Sequence, residues 1–295
     1  MTEDELLTAL NENGLARVAD RLMAIAAPTV RVYFRPSAES AIPIGASKVG
    51  GYPDLPPDVP WPSRPGALRL VAQFNLGEVA PYDREGMLPT HGLLSFFEPD
   101  DVESDGDTQA GSDEGPWEWR ALYYPSDPAT FVRRDPPPPL DRLYIYGPCA
   151  VHYAAQFTLP DTDSPEVWPL ELNEMERDAL WTLNLDANHG AWEVGGHHLL
   201  GYPANLEGSS FRAFDREGQG GEAQGSRAGK RISNAGRTRE IERDAARRWL
   251  LLLQLTSSDD AGFDWDGGGI LHVGIERVAL CARDFSHIRT KTEFL

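Results

Sequence analysis

A β-rich α+β fold with few helices and mixed or antiparallel sheets is predicted for this chain by three features of its sequence. Apolar residues alternate in short runs along most of the 295 residues, the pattern of half-buried strands. Helical spacing is confined to the N-terminus and to a stretch near residue 175. The strand-like motifs also come twice, in the same order, which predicts a single domain over residues 1–295 built from two diverged, structurally related halves, 1–147 and 148–295.

Thr2 followed by Glu5 has the spacing of a capping box, and Leu15, Val18, Leu22 and Ile25 then recur at helical spacing until Pro28 ends the run. Gly14 is placed to divide this region into two helices. From Val30 to Phe34 the period changes to two, with Val30, Val32 and Phe34 on one face of a strand and Arg31, Tyr33 and Arg35 on the other. KVGGYPDLPPDVPWP, residues 48–62, follows; its prolines forbid helix and remove donors, while Gly50 and Gly51 permit unusual backbone angles, so an ordered loop is expected. Leu68, Leu70, Ala72, Phe74 and Leu76 alternate along the next strand, and Gly92 to Phe97 supplies another.

Residues 98–118 hold nine acidic side chains and no basic one, which predicts a solvated loop outside the core. DPPPP is an extended connector, and LYIYG (143–147) and VHYAAQF (151–157) read as strands linking the halves. Asn173 and Glu176 have capping-box spacing ahead of a short apolar stripe of Met175, Ala179, Leu180 and Leu183. HHLLGYPANLE (197–207) then echoes KVGGYPDLP, WLLLLQL (249–255) echoes LRLVAQFNL, and GGILHVGI (268–275) echoes HGLLSFF. The matched positions are spaced 150 residues (Tyr52 to Tyr202), 181 (Gln73 to Gln254) and 177 (Gly92 to Gly269), so order is kept with one large insertion. That insertion, residues 208–248, is Gly-rich with ten basic and six acidic residues, and is expected to be mobile except where its end enters a strand.

With GGYPDLPPDVPWP, LVAQFNL, GLLSFF, LLGYP, WLLLLQL and the closing DFSHI, the chain resembles YwqG-like proteins, a family defined by a domain of unknown function, over nearly its whole length. The basic insertion departs from that pattern. The resemblance further implies a distant similarity to the eukaryotic programmed-cell-death-2 family, which is associated with chaperoning a ribosomal protein. Those proteins carry cysteine clusters and this chain has two cysteines, so only protein binding is implied, with no metal or ribosomal client carried over.

The formal net charge of −19 repels phosphate backbones, so no nucleic-acid partner is expected. Cys149 and Cys281 are too few for a disulfide framework or a zinc site. An acidic N-terminus and the absence of an apolar run of about 20 residues predict a cytoplasmic protein with no membrane partner. No nucleophile elbow, phosphate loop, dinucleotide fingerprint or H-E-x-x-H pair occurs, and no catalytic residue, metal or cofactor is assigned. His197 and His198 point to opposite faces of a strand and cannot readily share a metal.

The leading expectation is a non-catalytic protein- or peptide-binding module of adaptor, chaperone-like or immunity type, with an unidentified protein or peptide partner and an undetermined oligomeric state. Its ligand-binding candidates are Tyr52, Trp61, Tyr202 and Trp265, bordering one groove, with Gln73 and Gln254 as buried amides in need of partners. For GYP a scaffold loop is nonetheless the favoured reading, and for the glutamines it is satisfaction by neighbouring backbone. The rival class is a metal-dependent hydrolase assembled in space from Asp264, Asp266 and histidines; a turn ahead of a strand is the simpler reading of those aspartates.

Overall fold

The structure, a computed structural model, describes residues 1–63, 66–99, 119–138, 145–189, 196–206, 208–217, 234–265 and 267–293. The N-terminal capping box forms as spaced: Thr2 Oγ1 accepts from the Glu5 N–H and the Glu5 carboxylate accepts from the Thr2 N–H, opening α1 (Glu3–Glu12). Gly14, at φ +81°, separates it from α2 (Ala19–Ile25). Then come β1 (Ala27–Pro36), β2 (Lys48–Val49), β3 (Asp54–Leu55), β4 (Arg69–Asn75), the short α3 (Leu76–Val79), β5 (Leu93–Glu98), β6 (Arg120–Tyr124), β7 (Val132–Arg133) and β8 (Cys149–Thr158). The rest comprises α4 (Glu174–Asn184), β9 (His198–Leu199), α5 (Ser210–Glu217), α6 (Asn234–Arg248), β10 (Trp249–Thr256), β11 (Ile270–Glu276), α7 (Arg277–Cys281) and β12 (Ile288–Glu293). Among the described residues no helix is long and apolar enough to cross a membrane.

Ten strands form one sheet in the order β12-β11-β10-β9-β1-β8-β2-β4-β5-β6, and β3 pairs with β7 in a second, two-stranded sheet. Every pairing is antiparallel. The order reads alike from either end of the central β1/β8 pair: a two-residue strand, a long strand carrying a buried glutamine, its hairpin partner, and an edge strand. β1 lies between β8 and β9, both far downstream of it, while β8 lies between β1 and β2. Each side of the sheet thus takes its innermost strand from the other part of the chain. On the central pair Tyr33 sits opposite His152, their rings stacked 5.1 Å apart.

The registers on the two sides correspond. Lys48 faces Gln73, which faces Ser95; His198 faces Gln254, which faces His272. Both long strands are bulged at matching points, between Leu70 and Ala72 and between Leu251 and Leu253. Ser47 Oγ accepts from the Asn75 N–H at 2.8 Å, and His197 Nδ1 accepts from the Thr256 N–H at 3.1 Å. In the turns after β2 and β9 the left-handed backbone recurs, at φ +65° and +72° for Gly50 and Gly51, and at +61° and +79° for Leu200 and Gly201. Gly50 has to be glycine, because a Cβ there would lie 2.4 Å from the Gly147 carbonyl oxygen.

The sheet curls around one large core that includes Val32, Phe74, Phe96, Leu253, Val273 and Ile275. Among the described residues its two edges approach without pairing: Tyr123 of β6 packs on Phe285, just ahead of β12, with ring centroids 5.4 Å apart. Outside the curl, Leu6, Leu10, Leu22 and Leu180 of the helices pack with Phe157 and Leu159, and a smaller cluster joins Leu55, Leu68, Leu70 and Phe97. The bulge in β4 breaks the alternation expected over 68–76. Leu68 and Leu70 face the outer cluster, whereas Ala72 and Phe74 face the inner core.

Three further expectations are corrected. Of LYIYG, residues 143–144 lie outside the described residues and 145–147 are irregular; Gly147 donates to the Ala261 carbonyl and joins no strand. Of the 208–248 insertion, expected to be mobile, Ser210–Glu217 and Asn234–Arg248 are helical, while 218–233 lie outside the described residues. Phe214 of α5 is fully buried against β11, where a Cβ on Gly274 would meet its ring at 2.4 Å, and it packs on Trp249 at 5.7 Å between centroids. Gly274 thus leaves the space that Phe97 fills with its own side chain at the matching position of β5. Met175 is 82% exposed and off the buried stripe of α4, where Glu176 takes a place because Arg17 reaches it from outside. The acidic stretch 98–118 falls almost wholly outside the described residues.

Candidate binding groove

A half-open groove of about 710 Å³ lies beside the β10–β12 side of the sheet. One wall is the segment 161–168, the second is α4 through Arg177 and Trp181, the third is the 202–213 stretch, and the last is α6 through Thr238, Arg239, Glu242 and Ala246. Trp168, Trp181, Tyr202 and Phe211 supply its aromatic surface. The 161–168 wall is held from several sides. Asp161 Oδ1 accepts from the Asp163 N–H at 2.9 Å, the Trp168 indole donates to the Asp163 carbonyl at 2.9 Å, and Arg21 donates to the Pro169 carbonyl at 2.6 Å. Trp181 is 54% exposed although its helix is otherwise well docked, and an exposed tryptophan of that extent beside a concave surface is a feature of recognition sites.

The charges of the groove are arranged unevenly. Arg177 pairs with Asp163 at 3.6 Å, Arg212 with Glu242 at 3.1 Å, and Lys291 with the buried Glu293. Arg239 and Arg243 place their guanidinium carbons 5.2 and 5.8 Å from the Trp168 ring centre. Asp161 and Glu166 have no cation within ion-pair distance among the described residues. Burial, with no compensating cation, raises the Asp161 carboxyl above the ordinary aspartate range. Burial also pushes the Tyr202 phenol up, and the negative charge of Glu166 adds to it.

Of the residues proposed from sequence, Tyr202 alone lines this groove. Tyr52 is half-buried, its N–H donating to Glu39 and its carbonyl accepting from Lys48. Trp61 is half-buried, with its indole donating to the Leu68 carbonyl at 2.8 Å. Trp265 belongs to the core, stacked on Phe263 at 5.0 Å and packed against Tyr146 and Trp119. The four aromatics therefore do not border a common groove. Gln73 and Gln254 are fully buried and satisfied by the chain itself. Gln73 accepts from the Asp54 N–H and donates to the Ala46 carbonyl; Gln254 accepts from the Ala204 N–H and donates to the Gly196 carbonyl. Trp168, Trp181 and Arg177 were not singled out by sequence reasoning. The available signal was Trp181, an aromatic off the apolar stripe of an otherwise polar helix face.

Two buried polar clusters flank these glutamines. On the β2 side, fully buried Lys48 reaches Glu39 at 2.7 Å and lies 4.0 Å from Asp54, while Arg133 grips Asp54 with two bonds of 2.8 and 3.0 Å. Burial pulls the Lys48 ammonium down. Burial alone would raise Asp54, but the Arg133 bonds, the Lys48 charge and the Gly45 and Gln73 donors hold its carboxyl below the ordinary value. On the β9 side His198 occupies the place of Lys48. Its Nδ1 lies 2.8 Å from the Leu200 carbonyl and so carries the proton, and burial followed by the Arg31 charge drives its pKa well below the ordinary value. Ser210 Oγ, 3.2 Å from His272 Nδ1, and His272 Nε2, 3.1 Å from Gln254 Oε1, form a line with the order of nucleophile, base and orienting group. Ser210 is fully buried, so this line lies inside the core.

Among the described residues no three His, Cys, Asp or Glu side chains come together as a metal site. Asp264 accepts from the Gly267 N–H at 2.9 Å, a turn contact, and Asp266 lies outside the described residues. His197 is used in packing on Phe34, 4.4 Å between centroids, and in the bond from Thr256.

No curated protein matches the chain. The profile of a family described as Domain of unknown function (DUF1963) matches residues 47–293, a span that begins one residue before β2 and ends with β12. With that match covering most of its length, the chain belongs to the DUF1963 family.

Proposed function

We propose that this protein is a non-catalytic peptide- or protein-binding module whose recognition surface is the groove between α4, α6 and the segments 161–168 and 202–213. The observation that carries this reading is a concave surface of about 710 Å³ with four aromatic side chains, one of them the largely exposed Trp181, on well-anchored walls. Peptides gain area from rigid aromatic rings at little entropic cost, and a pre-formed groove limits the ordering penalty on binding. The distant likeness to the programmed-cell-death-2 family favours the same class of activity, while the narrower likeness to YwqG-like proteins, a family defined by a domain of unknown function, names none. A reducing cytoplasmic setting suits a chain whose two cysteines, Cys149 and Cys281, are both free thiols. The matched registers and bulges on the two sides of the sheet further lead us to read the halves as products of an internal duplication in which the first strands were exchanged.

Selection from a displayed random-peptide library tests the binding reading. Recovered peptides are expected to compete with one another and to lose binding when Trp181→Ala or Trp168→Ala is introduced. Failure to recover any, or binders indifferent to both substitutions, overturns it.

A further inference from the structure

We propose that the bound peptide presents a lysine or arginine side chain to Asp161 and Glu166, on the side of the groove that Tyr202 lines. This rests on the groove being the binding surface, and it names the chemistry that the groove selects.

Nearly every other charge in the groove is answered within the chain. Arg177, Arg212 and Lys291 have carboxylate partners, and Arg239 lies over Trp168. An anionic ligand would have to take these cations from partners they already hold. Asp161 and Glu166 are different: among the described residues neither has a cation at ion-pair distance. The oxygens of Asp161 are met by the Asp163 N–H, the Thr162 hydroxyl and the Asn205 side chain, hydrogen bonds that orient the carboxylate without neutralising it. A part-buried carboxylate lacking a counter-charge is a standing cost, and an arriving ammonium or guanidinium group removes it.

The aromatic lining suits the same guest. Tyr202 offers a ring beside Glu166, whose charge reaches its hydroxyl. At Trp168 the chain already seats two of its own arginines against an indole, showing that a guanidinium fits the aromatic surface of this groove. The net charge of −19 draws a basic segment toward the protein from a distance, an attraction that salt weakens.

The test uses the full chain, 15N-labelled at the tryptophan indoles, titrated with N-acetyl-arginine methylamide and, separately, with its neutral isostere N-acetyl-citrulline methylamide. Saturable shifts of the Trp168 and Trp181 indole signals are expected with the arginine derivative, with the citrulline derivative binding about tenfold more weakly or not at all. Asp161→Asn together with Glu166→Gln should abolish that preference while leaving the melting temperature unchanged, since Asn retains an acceptor for the Asp163 N–H. Equal binding of the two derivatives, no shift with either, or an undiminished preference in the double variant overturns the proposal. Equal binding at the same indoles leaves the groove standing as a peptide site without charge selection. Loss of that broader reading requires the library selection to fail as well.

Discussion

Gln73 and Gln254 make the same two backbone hydrogen bonds on opposite sides of one sheet: each accepts an N–H from the segment after the GYP turn, at 3.0 and 2.9 Å, and donates to a carbonyl ahead of β2 or β9, at 2.8 and 2.7 Å. Each amide ties its long strand to the loop covering it. Replacing either by leucine keeps the volume but strands a buried donor and acceptor, so Gln73→Leu and Gln254→Leu should each lower stability by about 2–4 kcal/mol in urea unfolding. A loss under about 0.5 kcal/mol, the size of an ordinary surface effect, at either position would show that the loops are held by other means.

Trp265 and Trp181 separate packing from recognition. Trp265→Ala removes a ring from the core and should cost about 3–5 kcal/mol in the same measurement. Trp181→Ala, at a residue 54% exposed, should leave the unfolding midpoint nearly unchanged while weakening peptide binding. The reverse pattern would move recognition away from the groove.

Gly274 is a place where one methyl group is too many. Gly274→Ala sets a Cβ 2.4 Å from the Phe214 ring, forcing α5 outward at a cost of about 1–3 kcal/mol. Adding Phe214→Leu should recover part of that loss. Full additivity of the two substitutions in chemical denaturation would contradict the contact.

Lys48 lies at the centre of a buried ion cluster, and cutting one member leaves the others short of charge. Lys48→Met should destabilise by about 3–5 kcal/mol, since Glu39 loses a 2.7 Å partner and Asp54 a neighbouring cation. Equilibrium unfolding at neutral pH checks this, and a neutral result would mean that Arg133 alone balances both acids.

Arg17 holds the Glu176 carboxyl at about 2, below its ordinary 4.5. A carboxyl depressed by folding contributes its full stabilisation above the unfolded value and loses it as pH falls toward the folded value. The melting temperature should therefore decline between about pH 4.5 and pH 2, and Glu176→Gln should flatten part of that decline. An identical acid slope in the variant would place the tether elsewhere.

Much of the fold was legible because local signals and burial agreed. The capping boxes at Thr2 and Asn173, the helix break at Gly14 and the β1, β4, β5, β10 and β11 strands all stand where periodicity put them. The expected apolar alternation in β4 failed at its bulge, which changes the phase of burial without changing composition. Helices α5 and α6 escaped notice because their glycine-rich, charged surroundings conceal Phe214, whose burial depends on a glycine sixty positions later in the chain. The groove was hidden for a similar reason. Its walls come from four separate segments, and neither Asp161 nor Glu166 carries any local mark of lacking a cation.

β1 lies between two strands that begin at Cys149 and His198. During synthesis, then, β1 stays unzipped on both edges until the chain has been made through β8, and on its other edge until it has been made through β9. Productive folding of the sheet has to wait for these two distant strands, and the nascent β1 segment must stay shielded or soluble in the interval.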